Sequence, residues 1–299
     1  MSLQAVEKEI DRLIKELNEE DIIEIISKIP AGKRLRARLM LEIAPNIKET
    51  IKGAAIIEMI HAASLLHDDV IDNASMRRGV ASINALYGNK SAIMVGDILY
   101  SKAFFELVGF KEEIAKIVSN AVVNLSIGER EDVRLSEEFN PNKDRYYKMI
   151  YQKTAALIEA ASEFAAILAN KDREIYKTYG RNLGIAFQMI DDILDIISDS
   201  KTLGKPALSD FKEGKTTLPY IYLYEALNEK DKKRLKSLHK KELNSSEQSW
   251  ILEKFKEFNI INRCKNEALG LINEAIDLMQ KAGEKGLESI AIKMVDRSF

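Results

Sequence analysis

The chain is expected to be all-α, a bundle of long helices, and three observations carry that expectation. Its five prolines (Pro30, Pro45, Pro141, Pro206 and Pro219) leave 47–140 and 142–205 free of proline, the residue that breaks helix interiors. Those stretches are rich in Ala, Leu, Ile, Glu and Lys, which favour helix. No stretch alternates with period two and β-branched enrichment, so strands find little support.

Helices are expected at 4–18, 49–73, 91–108, 111–138, 144–169, 172–198, 217–227 and 248–282, with a shorter one at 35–43. The first interleaves charged and apolar residues from Met1 to Leu17, which reads as a surface amphipathic helix and not as a signal peptide. Two differ from the rest. Ile51–Asp72 and Leu183–Asp195 are apolar on most faces until their C-terminal turns, the pattern of central helices surrounded by others. The charged segment 228–248 is expected to be a surface excursion, and 283–299 carries no clear pattern.

At 299 residues with 46% hydrophobic content, the chain can bury a sizeable core. It has no Gly/Ser-rich linker, so a single domain over 1–299 is the simplest organisation. A net charge of -2 argues against a nucleic-acid binder. The single cysteine, Cys264, excludes an internal disulfide and a thiolate zinc cluster and fits a reducing compartment. No apolar run approaches the roughly 20 residues of a membrane span, so a cytoplasmic protein without an integral membrane segment is expected.

The chemistry concentrates in two acidic clusters, Asp68-Asp69-Val70-Ile71-Asp72 and Asp191-Asp192-Ile193-Leu194-Asp195. Positions i and i+4 share a helix face, so Asp68 pairs with Asp72 and Asp191 with Asp195. Like charges at that spacing repel, and the C-terminal end of a helix disfavours anions. A bound hard cation relieves both penalties, and carboxylates without thiolates select Mg²⁺, or Mn²⁺, over zinc. One such cluster alone is as easily a solvated helix end. Two on buried helices are much harder to dismiss. Neither has the glycine-turned loop of a calcium site.

Magnesium held by few carboxylates completes its shell with water and phosphate, so a diphosphate site needs cations nearby. Gly32-Lys33-Arg34-Leu35-Arg36 is a short basic run. Arg77-Arg78-Gly79 follows the first cluster, and Lys153-Thr154 interrupts a neutral stretch. Gly204-Lys205-Pro206 and Gly214-Lys215-Thr216-Thr217 follow the second cluster. Taken singly, each basic residue is more often solvated surface. His61, two helical turns before Asp68, is a candidate substrate contact, whereas His67 reads as a hydrogen-bonded core residue. Gln188, one turn before Asp192, is a candidate polar contact. Ser209–Thr216 imitates the end of a P-loop, but Ser209 stands where the first glycine belongs and no strand precedes it.

These residues give the chain its resemblance to the trans-type prenyl diphosphate synthases, and within them to the long-chain group. The resemblance runs from about Gly32 to Pro219. It rests on His61-Ala62-Ala63-Ser64-Leu65-Leu66-His67-Asp68-Asp69-Val70-Ile71-Asp72, Arg77-Arg78-Gly79, Gly96-Asp97, Lys153-Thr154, Phe187-Gln188-Met189-Ile190-Asp191-Asp192, Gly204-Lys205-Pro206, Asp210 and Gly214–Pro219. It implies a helical bundle of the isoprenoid synthase type around a deep central cavity, usually in a homodimer. It also implies that Asp68 and Asp72 hold Mg²⁺ on an allylic diphosphate, with Asp191 opposite and Asp69, Asp192 and Asp195 completing the metal-binding clusters. Arg77, Lys153, Lys205 and Lys215 would then bind the allylic diphosphate, with Thr154 and Gln188 beside them. Lys33, Arg36, His61 and Arg78 would bind isopentenyl diphosphate. Two departures stand out. Ala31 and Ala37 replace the first glycine and the proline of the family's first basic motif, and Asp132 stands where long-chain members often carry glutamine.

The reaction follows from the charges. Breaking an allylic carbon–oxygen bond needs a stabilised diphosphate leaving group, which metal ions and fixed cations supply. The carbocation must then meet the isopentenyl double bond before water does, so the cavity must be apolar and dry. Short-chain members carry bulky aromatics about one turn before the first aspartates, where this chain has Ala63 and Ser64. The tunnel is therefore expected to be open and the product long, with octaprenyl the expected length and Val118 and Val122 at the tunnel floor. Farnesyl diphosphate is the expected primer, and a quinone side chain the expected use of the product. Alternatives are a synthase of shorter products and a non-catalytic subunit of a heteromeric synthase. Such subunits tend to lose the aspartates, and this chain keeps six. A terpene cyclase would typically replace the second cluster with an Asn/Ser/Glu pattern.

Overall fold

The computed structural model describes residues 2–197 and 208–295. Helix dominates. The only strands among the described residues are the two-residue arms of one hairpin, Met76–Arg77 and Val80–Ala81. No helix is long and apolar enough to cross a membrane among the described residues. The chain divides into two compact units, 1–125 with 157–180 and 126–156 with 181–299. The boundaries fall inside helices and not in linkers, which is why composition gives no sign of them.

In the first unit, α1 (Leu3–Lys15) starts from a Ser2 cap whose hydroxyl accepts the Ala5 amide at 3.3 Å. It ends three residues before the expected 18. A second short helix, α2 (Glu20–Ser27), follows unannounced. α3 (Leu35–Ile43) agrees with expectation. α4 (Lys48–Ile71) is the centre of this unit: all eight residues from Gly53 to Ile60 are buried, against α1, α3 and most extensively α5 (Ile83–Leu107). α5 begins earlier than expected because a turn of helix precedes Gly88, whose φ of 83° breaks it. The unit also takes in the start of α6 (Glu112–Leu135) and most of α8 (Ala156–Leu168), whose Phe164 meets Phe110 edge-on at 5.0 Å.

In the second unit, α7 (Lys143–Ile150) is capped by Asn142, which accepts the Arg145 amide at 2.9 Å. It runs on through a π-helical turn, Tyr151–Ala155, into α8. α9 (Arg173–Ile197) carries the second acidic cluster at its end. The expected excursion at 228–248 instead contains a helix, Glu229–Leu238, started by Asn228 and burying Leu235 and Leu238. The single helix expected at 248–282 is two, Ser245–Glu257 and Ile260–Ala282, parted at Asn259, whose φ of 50° is left-handed. A final helix, Lys285–Val295, follows Gly283.

Candidate active site

At the end of α4 the three aspartates of the first cluster part company. Asp68 is half-buried and Asp72 exposed, but Asp69 keeps only 2% of its surface. The Arg77 guanidinium donates to a single Asp69 oxygen from Nε at 2.7 Å and from Nη2 at 2.5 Å. Asp69 is thus the buried, ion-paired member of the cluster, unlike the more accessible Asp68 and Asp72. Adjacent residues on a helix face different ways, so Asp69 cannot share the face of Asp68 and Asp72. The hairpin supplies Arg77, and its two-residue turn, Arg78-Gly79, has φ of 52° and 80°. That is the doubly left-handed turn that favours glycine. His67 is bonded as expected, its Nε2 lying 3.2 Å from the Ile93 carbonyl.

Two turns up the same helix, His61 sits among arginines. Burial, then the charges of Arg36, Arg78, Arg77 and Arg34, push its pKa well below the ordinary 6.5, so the ring is neutral. Burial also lowers Arg36, to about 10, with Arg78 adding and Glu58 opposing. The Arg36 Nε is buried without a hydrogen-bond partner among the described residues. Arg78 is pulled down by burial and by its neighbours Arg77 and Arg34, and donates to the Pro30 carbonyl at 2.9 Å. Four arginines thus cluster around a neutral imidazole, half-buried apart from the exposed Arg78, with the Arg36 Nε donor unanswered. An accessible stripe on α4 joins this pocket to the acids: His61, Ser64, Leu65 and Asp68 are half-buried and Asp72 is exposed. His61 and Asp68 are about 10 Å apart along the axis at 1.5 Å per residue, room for two separate diphosphates. Leu65 was missed in sequence, because a leucine on an apolar helix looks like core.

The second cluster, in the other unit, repeats the division. Asp191 is exposed, while Asp192 and Asp195 are buried. Tyr146 donates to one Asp192 oxygen at 2.6 Å and Gln188 to the other at 2.9 Å. The Thr154 hydroxyl in turn donates to Gln188 at 2.7 Å. Burial, with Asp210 next, raises Asp192 to about 8. Asp195 accepts the backbone amides of Ser209 at 3.1 Å and Asp210 at 3.3 Å, starting the short helix Ser209–Lys212. Burial and Asp210 raise it to about 7. Asp192 and Asp195 are thus buried and hydrogen-bonded at both oxygens, whereas Asp191 is accessible. Tyr146 escaped notice because an isolated tyrosine has no motif.

Lys153 lies in the π-helical turn, with Nζ 2.5 Å from Asp132 and 2.9 Å from Glu129. Burial would lower its pKa, but Asp132 and Glu129 outweigh that and raise it. Gly128 makes the approach possible: a Cβ there would stand 2.4 Å from the Lys153 amide nitrogen. Lys215 reaches Glu213 at 2.7 Å and Asp210 at 4.0 Å. Lys205 lies outside the described residues. Of the expected tunnel residues, Ala63 and Val118 are wholly enclosed by neighbouring side chains, and Ser64 and Val122 are half-buried. Ser64 and Val122 are thus the more accessible of the four, and Ala63 and Val118 lie behind them in the packing.

Among the described residues, no three His, Cys, Asp or Glu side chains are grouped as a metal site. The accessible donors are hard carboxylate oxygens, Asp68 with Asp72 in the first unit and, separately, Asp191 in the second. That donor set suits Mg²⁺, which takes one or two carboxylates and leaves its remaining positions to water and phosphate.

Known proteins are similar to this chain in sequence and fold. The family model for polyprenyl synthetase matches residues 19–255. The octaprenyl diphosphate synthase of Haemophilus influenzae is 31% identical over an alignment covering 100% of this chain and 98% of that protein. The short chain isoprenyl diphosphate synthase of Methanocaldococcus jannaschii is 40% identical, over 68% of this chain and 66% of that protein. The crystal structure of octaprenyl pyrophosphate synthase from Helicobacter pylori superposes with a TM-score of 0.94 at 46% identity, covering 98% of both chains. The fold is thus the all-α isoprenoid synthase fold, and the chain belongs to the polyprenyl synthetase family.

Proposed function

We propose that this polyprenyl synthetase condenses isopentenyl diphosphate with an allylic diphosphate, farnesyl diphosphate by preference, to an all-trans long-chain product of octaprenyl length. The observation that carries the reading is the accessible stripe on α4. It links the arginine cluster at His61 to the carboxylates of Asp68 and Asp72, which puts a place for a bare diphosphate and a place for a metal-bound one on one face.

In this reading Asp68, Asp72 and Asp191 hold Mg²⁺, or Mn²⁺ in its place. Bound there, the metal would neutralise the departing diphosphate as a Lewis acid. Lys153, Lys205 and Lys215 bind that diphosphate as fixed charges, and Arg77 contributes from its anchor on Asp69. Lys33, Arg36 and Arg78 grip the isopentenyl diphosphate beside a neutral His61. Thr154 and Gln188 orient the reacting end. Asp69, Asp192 and Asp195 hold their neighbours in place and touch no substrate. Ser64 and Leu65 continue the α4 face that the growing chain follows, with Val122 on α6. We further propose that 1–299 acts as one catalytic domain in the cytoplasm, and as a homodimer. The exposed Met94 and Phe105 of α5 and its C-cap Val108 fall on one side of that helix, an apolar strip suited to a second copy.

A second reading, a synthase of shorter products, has one point in its favour: the 40% identity to a protein named as a short chain synthase. Sizing the dephosphorylated products made from labelled isopentenyl diphosphate, farnesyl diphosphate and Mg²⁺ separates the two. A metal-dependent ladder ending at octaprenyl is expected. A stop at one or two additions would transfer the assignment to the second reading. No condensation with intact substrate binding would make the chain a partner subunit of a heteromeric synthase.

A further inference from the structure

We propose that Glu58 is a positioning residue for isopentenyl diphosphate, holding the loop Lys33–Arg36 so that Lys33 and Arg36 meet that substrate's diphosphate. The inference rests on the reading of that loop given above. Glu58 sits in the middle of α4, 3% exposed, and no motif includes it. An acid in an anion pocket weakens anion binding by its charge alone. Its burial there needs a geometric reason, and two contacts supply one.

α3 starts badly on its own. Its N-cap, Arg34, is left-handed at φ 51°, ψ 44° and contributes no side-chain cap, a costly conformation for a non-glycine residue. The first-turn amides of a helix also lack partners within it. Glu58 answers both needs from another helix. Its Oε1 accepts the Ala37 amide at 3.0 Å, and its Oε2 lies 3.5 Å from Arg34 Nη1. Arg34 is tied from its other side by Glu7 of α1, at 2.7 Å and 3.0 Å. A carboxylate at a helix N-terminus is also favoured by the helix dipole. Arg34 is thereby the pivot of the basic run and not one of its ligands. The loop then folds over Arg78, with Gly32 so close that a Cβ would stand 2.8 Å from the guanidinium. Ala37 takes part only because it has an N–H to give, which the family's proline at this position lacks.

Because charge and geometry pull in opposite directions, two substitutions separate them. Glu58→Gln keeps an oxygen for the Ala37 amide and removes the opposing charge. Glu58→Leu removes both. Steady-state kinetics would be measured for each, varying isopentenyl diphosphate at saturating farnesyl diphosphate and Mg²⁺, then the reverse, with Arg36→Gln as the control. The expected result is a KM for isopentenyl diphosphate raised about tenfold in Glu58→Leu and within about threefold of the parent in Glu58→Gln, with the farnesyl KM steady in both. An unchanged isopentenyl KM in Glu58→Leu overturns the inference if Arg36→Gln raises it. If Arg36→Gln has no effect, the loop is not the isopentenyl site and both readings fall. Should Glu58→Leu not fold, Glu7→Ala releases Arg34 from the surface side. A rise of about threefold in the isopentenyl KM is expected there, and an unchanged value overturns the inference.

Discussion

Arg77 places two donors on one oxygen of Asp69, Nε at 2.7 Å and Nη2 at 2.5 Å, and this pair divides the first acidic cluster into one buried, ion-paired member and two accessible ones, Asp68 and Asp72. Asp69 is buried and Arg77 about a quarter exposed, so removing Asp69 forfeits its buried charge-assisted hydrogen bonds at about 1–3 kcal/mol, below the cost of breaking a fully buried pair. Asp69→Ala should therefore lower the melting temperature clearly. Asp68→Ala or Asp72→Ala should leave melting almost unchanged and cut metal-dependent turnover about a hundredfold or more. Thermal melts beside turnover at saturating Mg²⁺ distinguish the classes. Equal melting temperatures across all three variants would refute the division.

In the second cluster the corresponding relationship is Tyr146 to Asp192, at 2.6 Å. Tyr146→Phe keeps the ring and deletes the donor, leaving a buried carboxyl with Gln188 alone. An unanswered buried acceptor costs about 1–3 kcal/mol. Gln188 should shift as well, since it is held between Asp192 and Thr154. The expected outcome is a lower melting temperature together with a lower kcat. A variant that melts lower at full kcat would confine Tyr146 to stability.

These pairs mark how far the sequence could be read. Both acidic clusters, the basic runs and the long helices follow from spacing, since residues four apart on a helix share a face. Which aspartates are buried does not, because it depends on donors remote in sequence. Asp69 needed the hairpin's Arg77, and Asp195 needed the amides of Ser209 and Asp210. The π-helical turn at Tyr151–Ala155 was illegible for a different reason. Its residues suit an ordinary helix, and only close packing on Gly128 marks the spot. In 228–248, eleven charged residues and seven other polar ones mask the three leucines, so a helix with a buried edge reads as a surface excursion.

Product length tests the α4 face. Ser64 is half-buried one turn before Asp68 and donates its hydroxyl to the His61 carbonyl at 2.9 Å. Ser64→Tyr should block the path about one turn, or 5.4 Å, below the aspartates, giving a shorter product with little change in melting. Ala63 is wholly enclosed. A tyrosine there must displace its neighbours, at about 1–3 kcal/mol for overpacking, so Ala63→Tyr should combine a shorter product with a lower melting temperature. Chromatographic sizing of products from both variants decides. Unaltered product lengths in Ser64→Tyr would remove α4 from length control.

His61 gives the protein a pH dependence of known sign. Its folded pKa is held well below 6.5 by burial and by the nearby arginines, so below pH 6.5 the unfolded chain takes up a proton that the folded chain does not. The contribution of His61 is therefore fully present above pH 6.5 and is lost as pH falls toward the folded value. His239 acts in the same direction, its pKa lowered by burial. Denaturant unfolding between pH 5 and 8 should show stability declining on the acid side. His61→Gln should flatten that decline only in part. An unaltered pH profile in His61→Gln would mean that the ring is not held neutral.

Asp132 is the departure whose consequence the structure makes testable. Lys153 faces two carboxylates, Asp132 at 2.5 Å and Glu129 at 2.9 Å, so its one positive charge is more than cancelled before any diphosphate arrives. A unit charge about 6 Å from an incoming anion is worth up to roughly 3 kcal/mol at an effective dielectric of about 20. The second carboxylate should therefore weaken binding of the allylic diphosphate. Against this stands its help in orienting the lysine, but Glu129 alone keeps a contact at ion-pair distance. The charge effect should win. Asp132→Gln, which restores the residue that long-chain members often carry, is expected to lower the KM for farnesyl diphosphate about threefold or more with kcat nearly constant. A raised KM would mean that Glu129 cannot hold Lys153 by itself, and that orientation outweighs charge at this position.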